Sequence, residues 1–427
     1  MKKISAGKMV TAIVAHGSIL VFAVMALEIA VMISPFAFFF YSVFGPIFKW
    51  LDQYAATAWL TDFFLPHMIL PPTLLLKAIR ILGSGLFLLG AITFIICALQ
   101  VYLGKVLKWG VAKRGLYGLI RHPQYLGLAL WAIGMSILWP RFIVLLSLSL
   151  MFVLYYYLAK DEERRMLSAF GQSYKQYLTT TGMFVLLPIE RRLSQLGHFL
   201  PRTWLRYVTV PLLIVTIVMG TGYICREITL RSLSFESADN ISLISILPED
   251  NALSTSIVQG IKNGHEDGKM GFLSVDRDYL GYVMPADYIM QGMIANTGSE
   301  YHLYKQHNTI AMITDWVFNP FQHLRRPPSV HMARMHNVAP STARRHHCPI
   351  GIDDVNLECA TCPYRRVIIV EVRHKNSVHL GGHELLSLDT KRLPVAFLDI
   401  NSSTGEIVNI KQVEPATAWG EIPTPSI

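Results

Sequence analysis

The sequences GLYGLIRHPQYLG at 115–127 and DEERRMLSAFGQSYKQY at 161–177 lie at the two ends of a paired apolar run. Only residues 139–141 separate its two halves, 126–138 and 142–158, and so short a connection predicts an antiparallel helix pair. Folding this pair brings the polar clusters at its open ends to one membrane face. The stretch therefore predicts a helical hairpin with a polar site at its open end.

Composition indicates the solvent in which the chain folds. Hydrophobic residues make up 52% of the 427 residues and charged residues only 16%, and the mean hydropathy is +0.38. These values exclude a soluble enzyme with a polar surface. The formal net charge of +9 is explained by basic loops that face anionic lipid headgroups, and we expect no nucleic-acid partner.

Long apolar runs predict about five membrane spans, because a helix needs about 20 apolar residues to cross a bilayer. The runs lie at 10–33, 79–103, 126–138, 142–158 and 207–224. The first run follows a lysine-bearing N-terminus and lacks a small-residue cleavage pattern, so we interpret it as an uncleaved span.

Proline and glycine refine this assignment. The segment 34–48 is predicted to be broken by Pro35 and Pro46, and to be interfacial, re-entrant or a short extra span. The segment 49–73 is predicted to be a loop with an aromatic stretch at the bilayer surface. In the second span, the glycine spacing predicts close approach of another helix. These glycines are Gly83, Gly85 and Gly90.

The fold class predicted is an α-helical polytopic membrane domain of about five spans, followed by a separate α+β extramembrane domain. Basic connectors place the N-terminus and the open end of the hairpin in the cytoplasm, and the C-terminal region across the membrane. The predicted segments are an N-terminal span with an interfacial stretch, a membrane core, a connector with the last span, and the extramembrane domain. They cover 1–78, 79–188, 189–224 and 225–427.

The extramembrane domain is long enough to bury its own core. Runs of β-branched and aromatic residues predict strands at 241–247, 366–373, 395–400 and 406–411. The proline-containing C-terminal end is predicted to be a loose tail.

A cysteine and histidine cluster lies inside this domain. Cys359 and Cys362 form a C-x-x-C pair, and His347 and Cys348 precede it. These four residues are a candidate tetrahedral zinc site. A disulfide is an equal competitor in an oxidising compartment, and free thiols are the third alternative.

The hairpin resembles a known family. The pattern G-x-Y-x-x-x-R-H-P-x-Y, an apolar hairpin, an E-E-R segment and F-G-x-x-Y-x-x-Y is similar to the isoprenylcysteine carboxyl methyltransferase and phospholipid methyltransferase superfamily. The resemblance covers about 79–188. The matching positions are Gly115, Tyr117, Arg121, His122, Pro123, Tyr125, Glu162, Glu163, Phe170, Gly171, Tyr174 and Tyr177.

The resemblance implies methyl transfer from S-adenosylmethionine, at the cytoplasmic face, to a membrane lipid or a lipid-modified acceptor of the isoprenylcysteine kind. The cofactor-binding residues that it implies are Tyr117, Arg121, His122, Pro123, Tyr125, Glu162 and Glu163. Arg121, Glu163 and Arg164 are the predicted catalytic residues. Glu162 and Glu163 project about 100° apart on a helix, so we expect one to face the pocket and the other the surface or an arginine.

Two other functions are compatible with the sequence. Membrane sterol reductases that use NADPH share much of the pattern, although Gln124 stands here where an asparagine is more usual in them. A non-catalytic membrane anchor that displays a metal- or ligand-binding ectodomain is the third reading. Cofactor binding separates these functions, and the sequence leaves the methyl acceptor open.

Overall fold

The computed structural model describes residues 6–44, 50–51, 53–67, 69, 72–107, 112–196, 203–285, 364–374 and 379–412. The α-helices in this part of the chain are α1 (Ala6–Phe44), α2 (Leu74–Val106), α3 (Pro123–Leu138), α4 (Phe142–Thr180), α5 (Leu187–Leu196), α6 (Thr203–Arg231) and α7 (Ser254–Glu266). The strands are β1 (Phe235–Ala238), β2 (Ile241–Ser245), β3 (Asp278–Pro285), β4 (Tyr364–Arg373), β5 (Lys391–Asn401) and β6 (Ile407–Gln412).

Helices long and apolar enough to cross a membrane account for the first half of the described chain. They are Ala23–Val43 within α1, the helices α2 and α4, and Val208–Arg231 within α6, and α3 is a shorter apolar helix. A helical membrane region followed by strands confirms the predicted fold class.

Helix α1 corrects one sequence prediction. The predicted break at Pro35 is wrong, because the helix continues through this residue to Phe44. Proline inside a helix removes one hydrogen bond and is unfavourable by itself. Packing holds the helix together here: Phe36 stacks 4.7 Å from Trp131, and Phe39 is completely buried.

Glycines bring α2 and α3 into backbone contact, as the sequence predicted. A Cβ at Gly90 would lie 2.2 Å from the backbone nitrogen of Trp131, and one at Gly83 would lie 2.5 Å from Ile137. Gly85 differs, because a Cβ there would meet nothing within 4 Å. Close packing is therefore confirmed for two of the three glycines named from the sequence.

We expect Gly90→Ala to destabilise the protein by about 1–3 kcal/mol, the usual cost of overpacking, because the clash is with backbone atoms that cannot rotate away. Gly85→Ala is the matched control, and it should be neutral or slightly stabilising in a helix. Thermal unfolding of both variants in the same detergent measures the difference. Equal melting temperatures would contradict the close packing of α2 on α3.

A glycine also bends α4. Gly171 has φ 52° and ψ −126°, a conformation that side-chain-bearing residues rarely adopt, and it interrupts the helix. The bend lies between the apolar part of the helix and its last turns, which carry Tyr174 and Tyr177. Both tyrosines are buried, so the F-G-x-x-Y-x-x-Y pattern encodes a bend followed by a packed helical end.

The strands form one six-stranded sheet in the order β1-β2-β3-β4-β5-β6. Its pairings are antiparallel except for β2 and β3, which are parallel and are connected through α7. Side chains alternate between its two faces. Leu280 and Phe397 pack on one face with Leu230 of α6, and Val283 packs on the other with Ile261 of α7.

The four predicted strands are confirmed as β2, β4, β5 and β6, with ends shifted by a few residues. Sequence analysis missed β1 and β3. β1 is short, with an exposed centre at Glu236 and Ser237, and β3 contains Gly281 and Pro285, which weaken a strand signal.

By internal contacts the chain forms two compact units. One comprises Met1–Pro46, Leu89–Ala132 and Leu146–Thr216, and it contains the polar end of the hairpin. The other comprises Ile47–Leu88, Ile133–Leu145 and Ile217–Ile427.

Buried arginines join the parts of the second unit. Arg226 donates hydrogen bonds to the carbonyls of Phe63 and Leu386, and Arg392 of β5 pairs with Asp62. Arg141 lies 3.9 Å over the Phe63 ring and donates to a backbone carbonyl of the same loop. The loop around Asp62 is buried against the sheet and the hairpin turn.

Candidate functional site

Residues 121–122, which we call the Arg-His segment, lie beside the chain that follows α4. The N–H of Arg121 donates to the Gly182 carbonyl at 2.7 Å, and the N–H of His122 donates to the Met183 carbonyl at 3.1 Å. We call residues 181–186 the closing segment. A Cβ at Gly182 would lie 1.9 Å from the Val185 carbonyl oxygen, so the tight turn of this segment requires glycine.

The Arg121 guanidinium is buried and fully engaged. Its Nε donates to Oε1 of Glu163 at 2.6 Å, and Nη1 donates to the carbonyls of Leu178 and Thr181. Its Nη2 lies 3.5 Å from Oε1 of Glu190. Arg121 therefore joins α4, the closing segment and α5 at one point.

The His122 imidazole lies between two carboxylates. Nδ1 is 3.5 Å from Oε2 of Glu162, and Nε2 is 3.6 Å from Oε1 of Glu163. Among the residues that the structure describes, Nε2 has no hydrogen-bond partner, and the ring is 5% exposed. The site therefore holds a buried donor that its own side chains leave unused.

Two opposing effects act on the pKa of His122. Burial lowers it, but the carboxylates of Glu162 and Glu163 together outweigh burial, and the pKa is raised above its ordinary value. The imidazole thus stays protonated to higher pH than in an unfolded chain. Its stabilising contribution is complete below about pH 6.5 and is lost as the pH rises through the raised pKa.

The two glutamates have different environments. The Glu163 side chain is 11% exposed and contacts Arg121, whereas the Glu162 side chain is 45% exposed. One carboxylate therefore lies against an arginine and the other is accessible, although both also approach His122. Of the pair, Glu162 is the carboxylate able to meet a ligand from solution.

Aromatic rings enclose His122. The Tyr125 ring lies 5.6 Å from the imidazole and 4.9 Å from Tyr155, and the Phe184 ring lies 5.9 Å from the imidazole on the closing segment. Behind them, the Tyr177 hydroxyl donates to the Tyr117 carbonyl. This packing gives the polar cluster apolar walls, which strengthen electrostatic interactions within it.

Two predicted residues lie elsewhere. The Arg164 side chain is 81% exposed and pairs with Asp161 at 2.5 Å, so the structure does not bring it to the buried cluster. Pro123 is the first residue of α3, where its missing N–H is harmless. The other sequence-predicted residues converge, except that the Tyr117 hydroxyl donates to the Cys97 carbonyl of α2.

Sequence analysis missed Glu190 and Lys160. Glu190 accepts a hydrogen bond from the Met183 N–H at 2.5 Å, and the Lys160 ammonium lies 3.6 Å from Oε2 of Glu163. Glu190 is an acid within a basic connector, in the first turn of α5. That position was the available signal, because acids are favoured at helix N-termini.

The candidate zinc ligands, His347, Cys348, Cys359 and Cys362, lie outside the described residues. Within the described ranges, no group of three or more His, Cys, Asp or Glu residues is arranged to hold a metal ion. The cysteines described there, Cys97 and Cys225, are free thiols. The zinc site stays a prediction.

Comparison with known proteins points to the same region. The model of the phospholipid methyltransferase family matches residues 76–173. A protein-S-isoprenylcysteine O-methyltransferase from Schizosaccharomyces pombe is 39% identical over 66 residues, which are 15% of this chain and 27% of that protein. The chain thus spans about a quarter of the length of this curated relative.

No solved structure matches the chain. The family-model match includes the hairpin whose open end carries Arg121, His122, Glu162 and Glu163. The two sequence matches confirm the resemblance noted in the sequence: residues 76–173 are similar to the phospholipid methyltransferase family, and 66 residues of the chain are similar to an isoprenylcysteine methyltransferase.

Proposed function

We propose that this chain is an integral membrane methyltransferase that takes its methyl group from S-adenosylmethionine. The observation that carries the proposal is the convergence of Arg121 and His122 on Glu162 and Glu163, within the region that matches the family. The acceptor proposed is a membrane lipid or a lipid-modified molecule, since the site lies at the end of membrane helices.

The residues present fit this cofactor. S-adenosylmethionine carries an ammonium group, a carboxylate and ribose hydroxyls, so it needs both acceptors and donors. The accessible Glu162 carboxylate is an acceptor for the ammonium or hydroxyls, and the unused Nε2–H of His122 is a donor for an anionic or lone-pair group. The Tyr125 and Phe184 rings offer apolar surface beside this donor.

When bound, the cofactor supplies an electrophilic methyl group, and transfer to an acceptor requires alignment and a dry site. In this proposal Glu163 fixes the Arg121 guanidinium, and the backbone pairing of Arg121 and His122 with the closing segment fixes the imidazole. Tyr125 and Tyr155 exclude water from one side. The chain thus contributes orientation rather than a reacting group.

The orientation proposed is cytoplasmic for the site and the N-terminus, and extracytoplasmic for the sheet, as the basic connectors predict. A cofactor made in the cytosol then reaches the site directly. The family matches do not favour the NADPH reductase or the non-catalytic anchor.

Ligand binding tests the proposal. Purified protein in detergent should bind S-adenosylmethionine but not NADPH, as measured by isothermal titration calorimetry. His122→Ala should weaken binding at least tenfold, about the contribution of one charge-assisted hydrogen bond. Asp161→Asn, which changes an exposed carboxylate on the same helix, is the control and should bind normally. Binding of NADPH alone, or equal affinity of wild type and His122→Ala, would reject the assignment.

A further inference from the structure

Glu190 makes contacts on both sides of the Arg-His segment. Its Oε2 accepts the Met183 N–H at 2.5 Å, and its Oε1 lies 3.5 Å from Nη2 of Arg121. The carbonyl of the same Met183 accepts the His122 N–H at 3.1 Å. One carboxylate therefore holds the Arg121 guanidinium and, through the backbone of Met183, the backbone of His122.

The position of Glu190 in the chain determines which parts of the protein these contacts connect. It lies in the first turn of α5, beyond the family match, on a helix between the candidate spans α4 and α6. Its side chain is about one-third exposed, whereas that of Arg121 is 6% exposed. The carboxylate thus links a surface helix to a buried guanidinium.

Glu163 alone does not fix this arrangement. It meets Arg121 through Nε, and Nη1 is used by backbone carbonyls, so Nη2 is the part of the guanidinium that faces Glu190. Without Glu190, the Met183 N–H would also lose its acceptor. Met183 would then be held only through its carbonyl, whereas Gly182 would keep its N–H bond to the Leu119 carbonyl and its carbonyl bond to Arg121.

We propose that Glu190 is a positioning residue of the methyl-transfer site, holding the closing segment and Arg121 so that His122 presents its Nε2 to the cofactor. This inference rests on the proposed function for its last step. The holding of the closing segment is independent of any cofactor.

Two measurements test it on the full chain in detergent, with Glu190→Ala and Glu190→Gln. In the first, hydrogen exchange of a peptide covering 181–186 is followed without cofactor. Glu190→Ala should exchange about tenfold faster, because a charge-assisted hydrogen bond at Met183 is lost. Glu190→Gln keeps an oxygen acceptor and should exchange within about twofold of wild type.

In the second, the Kd for S-adenosylmethionine is measured. Glu190→Ala should weaken binding about tenfold, and Glu190→Gln, which removes the charge facing Arg121 but keeps the acceptor, should weaken it less, by about threefold. Asp161→Asn is the control for loss of a carboxylate. Should Glu190→Ala fail to fold, the Glu190→Gln arm decides by itself through its Kd.

The outcomes separate cleanly. Faster exchange together with weaker binding supports the positioning role. Faster exchange with an unchanged Kd would overturn it, because Glu190 would then serve folding alone, and unchanged exchange in Glu190→Ala would overturn it as well. A wild-type protein that does not bind S-adenosylmethionine would reject the proposed function, and the exchange measurement would still show whether Glu190 holds the closing segment.

Discussion

Glu163→Gln is expected to abolish S-adenosylmethionine binding, with a loss of about 100-fold or more in affinity. Breaking a buried ion pair from one side costs about 3–5 kcal/mol of folding stability. Cofactor binding requires the geometry that this pair maintains, so affinity falls by a factor of ten for each roughly 1.4 kcal/mol needed to restore it. Glu163 faces Arg121 at 2.6 Å and His122 at 3.6 Å, so its charge supports both predicted contacts. Calorimetric titration of the variant gives the measurement.

The same variant changes the pH dependence. Glu163 is one of the two carboxylates that raise the pKa of His122 against the effect of burial. Its neutralisation lowers that pKa, so the pH at which residual binding changes should move down. A midpoint that stays where it is in wild type would show that His122 does not titrate under the influence of Glu163.

Stability and binding can be separated with a paired substitution. Replacing Arg121 by methionine and Glu163 by leucine together removes both buried charges, and such apolar replacements are often neutral for stability. We expect the double variant to recover thermal stability without recovering binding. If binding also recovered, the pair would be structural only and the site assignment would fail.

Asp62→Asn is expected to destabilise the second unit by about 3 kcal/mol, since it leaves buried positive charge uncompensated. Asp62 pairs with Arg392, and its charge also acts on Arg141 and Arg226. The side chain is 14% exposed, so solvent screens little of this. Its backbone carbonyl accepts the Phe142 N–H and is unaffected by the change.

Thermal unfolding followed by tryptophan fluorescence measures this effect. Asp267→Asn, an exposed carboxylate in the same unit that lies beyond the end of α7, is the matched control. Its free energy of unfolding should differ from that of wild type by no more than about 0.5 kcal/mol. If Asp62→Asn melted like the control, the arginines would be satisfied by their carbonyl partners alone.

The length and composition of apolar runs were sufficient to predict the membrane helices and most of the sheet. The short connector at 139–141 specified the hairpin, and runs of β-branched and aromatic residues specified β4 and β5. Local signals failed where distant packing decides the structure. Pro35 argued for a break, yet α1 continues because Phe36 and Phe39 pack on neighbouring residues.

Part of the site was likewise predictable from the sequence and part was not. Arg121, His122, Glu162 and Glu163 were predicted together, because the hairpin topology requires their convergence. Glu190 was missed, since its place in a basic connector marks a helix start, whereas its contact with the Met183 N–H has no sequence signal. Arg226 was missed for the same reason.

Arg226 lies 163 residues from Phe63 in the sequence and donates a hydrogen bond to its carbonyl, and any residue type offers a carbonyl.

Whether Arg164 faces the site depends on its angular position around the helix. One step along α4 separates the buried Glu163 from an exposed guanidinium that pairs with Asp161.

The pairing of the Arg-His segment with the closing segment bears on how far the site sits within the lipid layer. Helix α3 has 16 residues, so it rises about 24 Å at 1.5 Å per residue, less than the roughly 30 Å hydrocarbon thickness. Lipid chains cannot form hydrogen bonds with peptide groups. Non-helical backbone is therefore stable at that depth only where other protein groups form those hydrogen bonds. The bridge between Ile120 and Gly182, with the neighbouring bonds at Arg121 and His122, provides those partners. A polar turn drawn below the headgroups by so short a helix therefore keeps its peptide groups hydrogen-bonded to protein.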